Sequence, residues 1–180
     1  MSVLPILATL LPLLADQPRA NPDSLLIQHF EEEIAGYEKL RQRLESQLPP
    51  LHSATSSERI AHHERELARK IREARKQARQ GDIFTSQIAA EFRRLIGLAL
   101  TGQGSDTVPK SLRRAEPVRV RAIVNGTYPA GVPLESTPPT MLLNLPELPE
   151  GIQYRVSGND LLLIDVKANL ILDYIDGALR

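Results

Sequence analysis

Residues 152–175 read IQYRVSGNDLLLIDVKANLILDYI, and this stretch decides the fold. Ile152, Tyr154 and Val156 alternate with Gln153, Arg155 and Ser157, the period of two that marks a strand with one buried face. Ser157-Gly158-Asn159 has turn composition, and the run from Leu161 to Ile164 continues as a second strand. Lys167-Ala168-Asn169 then permits another turn into residues 170–175, which completes a small antiparallel β-meander. A helix from about residue 168 onward is the rival for that last element.

Upstream of the meander the chain changes character twice. From Pro129 to Pro149 it is too rich in proline for a central strand and reads as an ordered crossover, with Pro138-Pro139 able to open one helical turn at Met141-Leu142-Leu143. Before it, Val118, Val120 and Ala122 alternate with Arg119, Arg121 and Ile123, which predicts a half-exposed strand closed by a turn at Asn125-Gly126. Residues 101–116 are rich in Gly, Ser and charge and form the best candidate linker.

The first hundred residues carry the helical period instead. Asn21-Pro22 supplies a cap followed by proline at the first helical position, and Ile27, Phe30, Ile34, Tyr37, Leu44 and Leu48 follow at spacings of three and four. Only Arg41 interrupts that stripe, and Pro49-Pro50 stops it, so the first helix is expected over about 22–48. Thr55 and Glu58 have capping-box spacing, and Gly81 closes a charged segment, predicting a second helix over about 56–80. Its stripe of Ile60, Leu67, Ile71, Ala74 and Ala78 is thin and suits a coiled-coil seam. Residues 22–48 hold six acidic and three basic side chains and residues 56–80 four acidic and eight basic, so an antiparallel helical hairpin brings complementary charge together. A third helix over about 83–100 presents Phe84, Ile88, Phe92, Leu95, Ile96 and Ala99 on one face. The fold class is therefore α+β, with helices first and strands last.

Composition narrows the function classes. The 180 residues include no cysteine, which removes disulfides, thiolate metal sites and cysteine nucleophiles. The 22 basic and 22 acidic side chains cancel, so no global field draws the chain to nucleic acid or anionic lipid. Residues 3–15, VLPILATLLPLLA, are uncharged and end abruptly at Asp16-Gln17-Pro18-Arg19. That run has the length of a signal-peptide core and is too short to span a bilayer. No Lys or Arg precedes it, so a buried N-terminal arm or lipid-surface segment is the other reading. Taking the first, residues 1–20 are a leader, 21–100 the helical part, 101–116 the linker and 117–180 the crossover and meander.

Three stretches resemble an uncharacterised family of exported bacterial proteins: Gly81-Asp82-Ile83-Phe84-Thr85 with Ala89-Ala90-Glu91-Phe92-Arg93-Arg94-Leu95-Ile96, then Pro138-Pro139 through Leu148-Pro149, then Leu163-Ile164-Asp165-Val166-Lys167-Ala168-Asn169-Leu170-Ile171. The likeness covers about residues 80–176 and implies export, with no activity, substrate or cofactor attached. Tyr154-Arg155, Gly158 and Leu161-Leu162-Leu163-Ile164-Asp165 are also similar to the terminal hairpin of periplasmic nickel and cobalt homeostasis proteins.

Few residues offer chemistry. Glu58, His62 and Glu66 repeat at i, i+4 and share a helix face, a spacing that suits a metal but leaves the fourth ligand missing. A solvated helix face accounts for them better, so no metal or other cofactor is implied. His29 and His52 have no partner at motif spacing. Gly102-Gln103-Gly104-Ser105-Asp106 follows a helix rather than a strand and lacks the Lys-Ser/Thr of a phosphate loop. Lys110, Arg113, Arg114, Arg119 and Arg121 form a basic cluster without the interleaved aromatics of an oligonucleotide platform. Asp165, Asp173 and Asp176 lack the dense ligand spacing of a calcium loop; Asp165 is expected to bond backbone amides at the following turn. The sequence thus points to an exported interaction or structural module of the cell envelope without a catalytic site. It predicts a protein partner, self-association through the helical hairpin, no nucleic acid and no membrane-spanning segment. The competing reading is a periplasmic metal-binding protein, or an enzyme whose site assembles from dispersed His, Asp and Glu.

Overall fold

The computed structural model describes residues 22–52, 56–101, 120–129 and 144–179. The expected leader, the linker and the possible helical turn at 141–143 lie outside them. Among the described residues three helices precede a three-stranded antiparallel sheet of order β1-β2-β3. The helices are α1 (Pro22–Glu45), α2 (Ser57–Ala74) and α3 (Ser86–Thr101); the strands are β1 (Ile152–Ser157), β2 (Asp160–Asp165) and β3 (Leu170–Ile175). The last element is a strand, which rules out the helical alternative.

Each helix ends for a local reason. After Glu45 the α1 backbone tightens, with Gln47 N–H donating to Leu44 O and Leu48 N–H to Glu45 O, the three-residue spacing typical of a closing helix turn. Helix α2 is capped by Ser56, whose hydroxyl accepts from the Arg59 amide at 3.4 Å. It stops at Ala74, six residues short of the expected end. Asn125 is the cause: its Nδ2 donates to the Arg75 carbonyl at 2.8 Å while its Oδ1 accepts from the Arg75 guanidinium at 3.1 Å. Residues 75–82 then turn back toward β3 instead of continuing the helix. Helix α3 starts after Thr85, whose hydroxyl accepts from the Ile88 amide.

The helical pair runs antiparallel, with His63 beside Glu45 at one end and Arg75 over the Tyr37 ring at the other. It does not project as a free seam. Leu67, Ala68 and Ile71 of α2 and Phe30, Ile34 and Tyr37 of α1 share one buried cluster with α3 and with Ile152, Tyr154, Leu161, Leu163, Leu170 and Leu172. All three phenylalanines of the chain meet there, with Phe30 5.6 Å from Phe84 and 5.0 Å from Phe92, and Tyr154 closing the group.

The back of the sheet is also covered. Val120 and Tyr128 pack on Leu162, Ile164 and Ile171, which is why four consecutive residues, Leu161 to Ile164, are buried in β2. A sheet exposed on one face would have alternated. Residues 120–123 are not the expected strand. Val120 N–H donates to the Ser157 hydroxyl at 2.9 Å, and the segment crosses the sheet face until Thr127 makes a single antiparallel bridge to Leu170. Val120 is buried and Ala122 partly so while Arg121 and Ile123 face solvent; the period of two therefore records one covered face without a ladder.

Candidate functional site

Among the described residues, three groups of polar side chains bear on function. The first is internal and is set up by the sheet register. Leu163 pairs with Asp173 and Ile164 with Ile171, a bulge that leaves Leu172 extra in β3. Leu172 and Asp173 consequently both face the helices, where strict alternation would have sent Asp173 to the back. Its carboxylate accepts from the amides of Gly81, Ile83 and Phe84 at 3.0, 2.9 and 2.8 Å. The GDIF turn is held on the sheet by these bonds.

Asp165, also fully buried, takes the Tyr37 hydroxyl at 2.5 Å and the Ala168 amide at 3.0 Å. The latter bond is the turn contact its position predicts. Arg41, the interruption in the apolar stripe of α1, is 2% exposed and lies 3.6 Å from Asp165 while donating to the Glu150 carbonyl at 2.9 Å. Gly151, at φ 82°, lets the backbone pass this guanidinium; a Cβ there would sit 3.0 Å from Arg41 Nη1. Burial, and then the Asp165 charge, push the Tyr37 phenol well above its ordinary value, whereas burial lowers the Arg75 guanidinium against the opposing pull of Tyr37 and Asp173.

The second group comprises the metal candidates. Glu58 and His62 are exposed on α2, and the Glu66 carboxylate accepts from Arg69 at 3.1 Å. Among the described residues no three His, Asp or Glu side chains gather as a ligand set. His29 is exposed beside α3, where it lines an open groove with Leu25, Leu26 and Ala90. His63, next to the candidate His62, turns inward and places Nε2 3.9 Å from Glu45. Across that groove Arg94 bridges Asp23 at 3.5 Å and Glu91 at 2.5 Å, and its hydrogen bonds hold the Glu91 carboxyl below the usual range.

The third group lines a cleft of about 370 Å³ at the hairpin end of the sheet. Segment 120–122 forms one wall, the β1–β2 turn another, and the end of β3 the floor. The polar lining is Arg121, Ser157, Asn159, Asp160, Tyr174 and Asp176. Gly158, at φ 62°, makes the two-residue turn that presents Asn159 and Asp160. One oxygen of each carboxylate is engaged: Asp160 Oδ1 accepts from the Gly177 amide at 2.7 Å and Asp176 Oδ2 from Gln80 at 3.0 Å. Among the described residues no partner engages the Arg121 guanidinium, the Asn159 amide or the Tyr174 hydroxyl. Burial, and then Asp176, Asp173 and Asp160, raise the Tyr174 phenol and keep it a neutral donor, with Arg121 opposing.

Sequence patterning had singled out Asp176 and Arg121, each as part of a different cluster. Their meeting with Asp160 and Tyr174 depends on segment 120–122 crossing the sheet. Asp165 and Asp173, considered together with Asp176 as cation ligands, belong instead to the interior. The remaining basic cluster, Lys110, Arg113, Arg114 and Arg119, lies outside the described residues, as does Gly102-Gln103-Gly104. No protein-family model, curated protein or solved structure matches the chain. Among the described residues no helix is long and apolar enough to cross a membrane.

Proposed function

We propose that the chain is an exported interaction module of the cell envelope and that the cleft between segment 120–122, the β1–β2 turn and the end of β3 is its contact site. One observation carries the reading. Buried Asp165 and Asp173 are occupied by the fold, whereas the cleft gathers Arg121, Asn159, Tyr174 and one oxygen each of Asp160 and Asp176 with no internal partner among the described residues. Polar groups held at the end of a sheet, without a partner among the described residues, are what a recognition surface requires. Export is supported by the uncharged run at residues 3–15 and by the resemblance of residues 80–176 to exported bacterial proteins.

The test uses the full chain, tagged at its C-terminus and produced in its native cell. A photo-crosslinking residue at position 159 should yield an adduct in the envelope fraction, and the same residue at position 62 on exposed α2 should not. Mass spectrometry should find the first 15 to 20 residues removed, as for a leader peptide. Intact Met1 chain confined to the cytosol, or adducts of equal yield from both positions, would refute the reading.

A further inference from the structure

We infer that the cleft takes a free diamino acid, a small molecule carrying one carboxylate and two ammonium groups; this rests on the cleft being the contact site. The charge pattern is the first argument. Two carboxylates, Asp160 and Asp176, and one guanidinium, Arg121, face the same space, which complements two ammonium groups and one carboxylate in both sign and number. A monoamine leaves Arg121 without a partner, and an acidic amino acid meets two like charges.

Size and lining agree with that ligand. At about 370 Å³ the cleft is at the small end of ligand sites, the scale of a single amino acid. Val120, Ala122 and the Tyr174 ring contribute apolar wall against which a methylene stem can lie. The built feature is Ser157, which lines the cleft and is only 4% exposed. Its oxygen accepts from the Val120 amide, and among the described residues its own proton has no acceptor. A serine hydroxyl that accepts one bond still has a proton to donate, and the ligand's carboxylate beside Arg121 accepts it. The Tyr174 phenol lines the same cleft and donates to the same group.

Free L-lysine carries all three charges and 1,5-diaminopentane lacks the carboxylate, so these two probes separate the contacts. Titration of the purified, leaderless chain with L-lysine and with 1,5-diaminopentane should move the Gly158 and Gly177 amide resonances. Gly177 reports directly because its N–H bonds Asp160. Asp160→Asn and Asp176→Asn retain an acceptor oxygen for Gly177 and Gln80, and each should weaken binding about tenfold, the scale of one charged hydrogen bond. Arg121→Met should remove the advantage of L-lysine over 1,5-diaminopentane. Stronger binding of L-lysine than of 1,5-diaminopentane supports the carboxylate contact at Arg121, and the reverse order overturns it. Equal binding of n-butylamine and lysine to the wild type, or binding unaffected by Asp176→Asn, overturns the diamino acid assignment. If neither probe binds while position 159 still crosslinks in the envelope, this inference fails and the contact-site reading stands; loss of both fells both.

Discussion

Four aspartates sit on this three-stranded sheet, and position alone separates them into two pairs. Asp165 and Asp173 face the helices and are fully buried; Asp160 and Asp176 stand at the hairpin end, each with an oxygen turned to the cleft. The inner pair does architectural work that apolar burial does not provide. Asp173 ties the turn before α3 to the sheet through three amides, and Asp165 fixes α1 through Tyr37 and Arg41. The outer pair is held in place by one hydrogen bond apiece, accepted from the Gly177 amide and from Gln80. An identical side chain is thus a fold determinant where the helices cover it and, on the reading proposed above, a recognition group where they end.

The comparison breaks most readily at Asp173. Replacement by Ala strands the amides of Gly81, Ile83 and Phe84, each costing about 1–3 kcal/mol when left unpaired. A total of roughly 4 kcal/mol or more is a large part of the 5–15 kcal/mol that holds a domain together. Urea denaturation should show this loss together with a reduced helix signal, and a variant within 1 kcal/mol of wild type would mean that the turn is held by Ile83 and Phe84 packing alone.

Next comes Arg41→Met, which leaves the Asp165 charge buried beside Tyr37. Breaking such a pair costs about 3 kcal/mol. Adding Asp165→Asn to Arg41→Met should return part of that loss, because the uncompensated charge disappears. Equal or greater destabilisation in the double variant would show that Arg41 acts through its bond to the Glu150 carbonyl and not through the aspartate.

Tyr37→Phe sharpens the same corner with a smaller effect, about 1.5 kcal/mol at neutral pH for a hydroxyl bonded to a buried carboxylate. Its pH dependence is more specific. The fold holds the Tyr37 phenol neutral well above its ordinary value, while the unfolded chain releases that proton near about pH 10. The stability it adds is therefore complete below about pH 10 and is lost as pH rises beyond it. In wild type the urea midpoint should fall above that pH, and in Tyr37→Phe the fall should be shallower; Tyr154, raised by the same burial, accounts for what remains. Identical alkaline slopes would remove Tyr37 from this role.

Much of the architecture was legible because apolar periodicity reports burial directly. The stripe from Ile27 to Leu48, the face from Phe84 to Ile96 and the alternation after Ile152 each became an element on the expected side of the core. Where reading failed, the deciding partner was distant in sequence. Nothing within residues 56–80 says that α2 stops at Ala74, since Asn125 caps it from 50 residues away. The alternation at 118–123 signals one buried face and is silent on whether a ladder forms. Arg41 looked like a defect in a stripe and is an inward residue whose carboxylate lies on β2. The cleft was least legible of all: Arg121, Asp160 and Asp176 are adjacent only after a bulged strand and a crossing segment have been assembled.

The weakest expected perturbation of the fold is Arg121→Met, and it gives the comparison its other end. Arg121 is exposed, and among the described residues its guanidinium has no hydrogen bond or ion pair. Methionine keeps much of the aliphatic stem, so removing the charge takes nothing from the core, and substitutions of this kind stay within about 0.5 kcal/mol. A small residual effect is predictable in sign: Arg121 opposes the rise that Asp160, Asp173 and Asp176 impose on the Tyr174 phenol, so the variant should shift Tyr174 ionisation upward, readable by ultraviolet titration. An unchanged urea midpoint with an upward-shifted Tyr174 places Arg121 electrically in the cleft and outside the scaffold. A loss above about 1 kcal/mol would instead make Arg121 part of the clamp that holds segment 120–122 on the sheet, and the division between fold-building and ligand-facing charges would no longer hold at this end of the molecule.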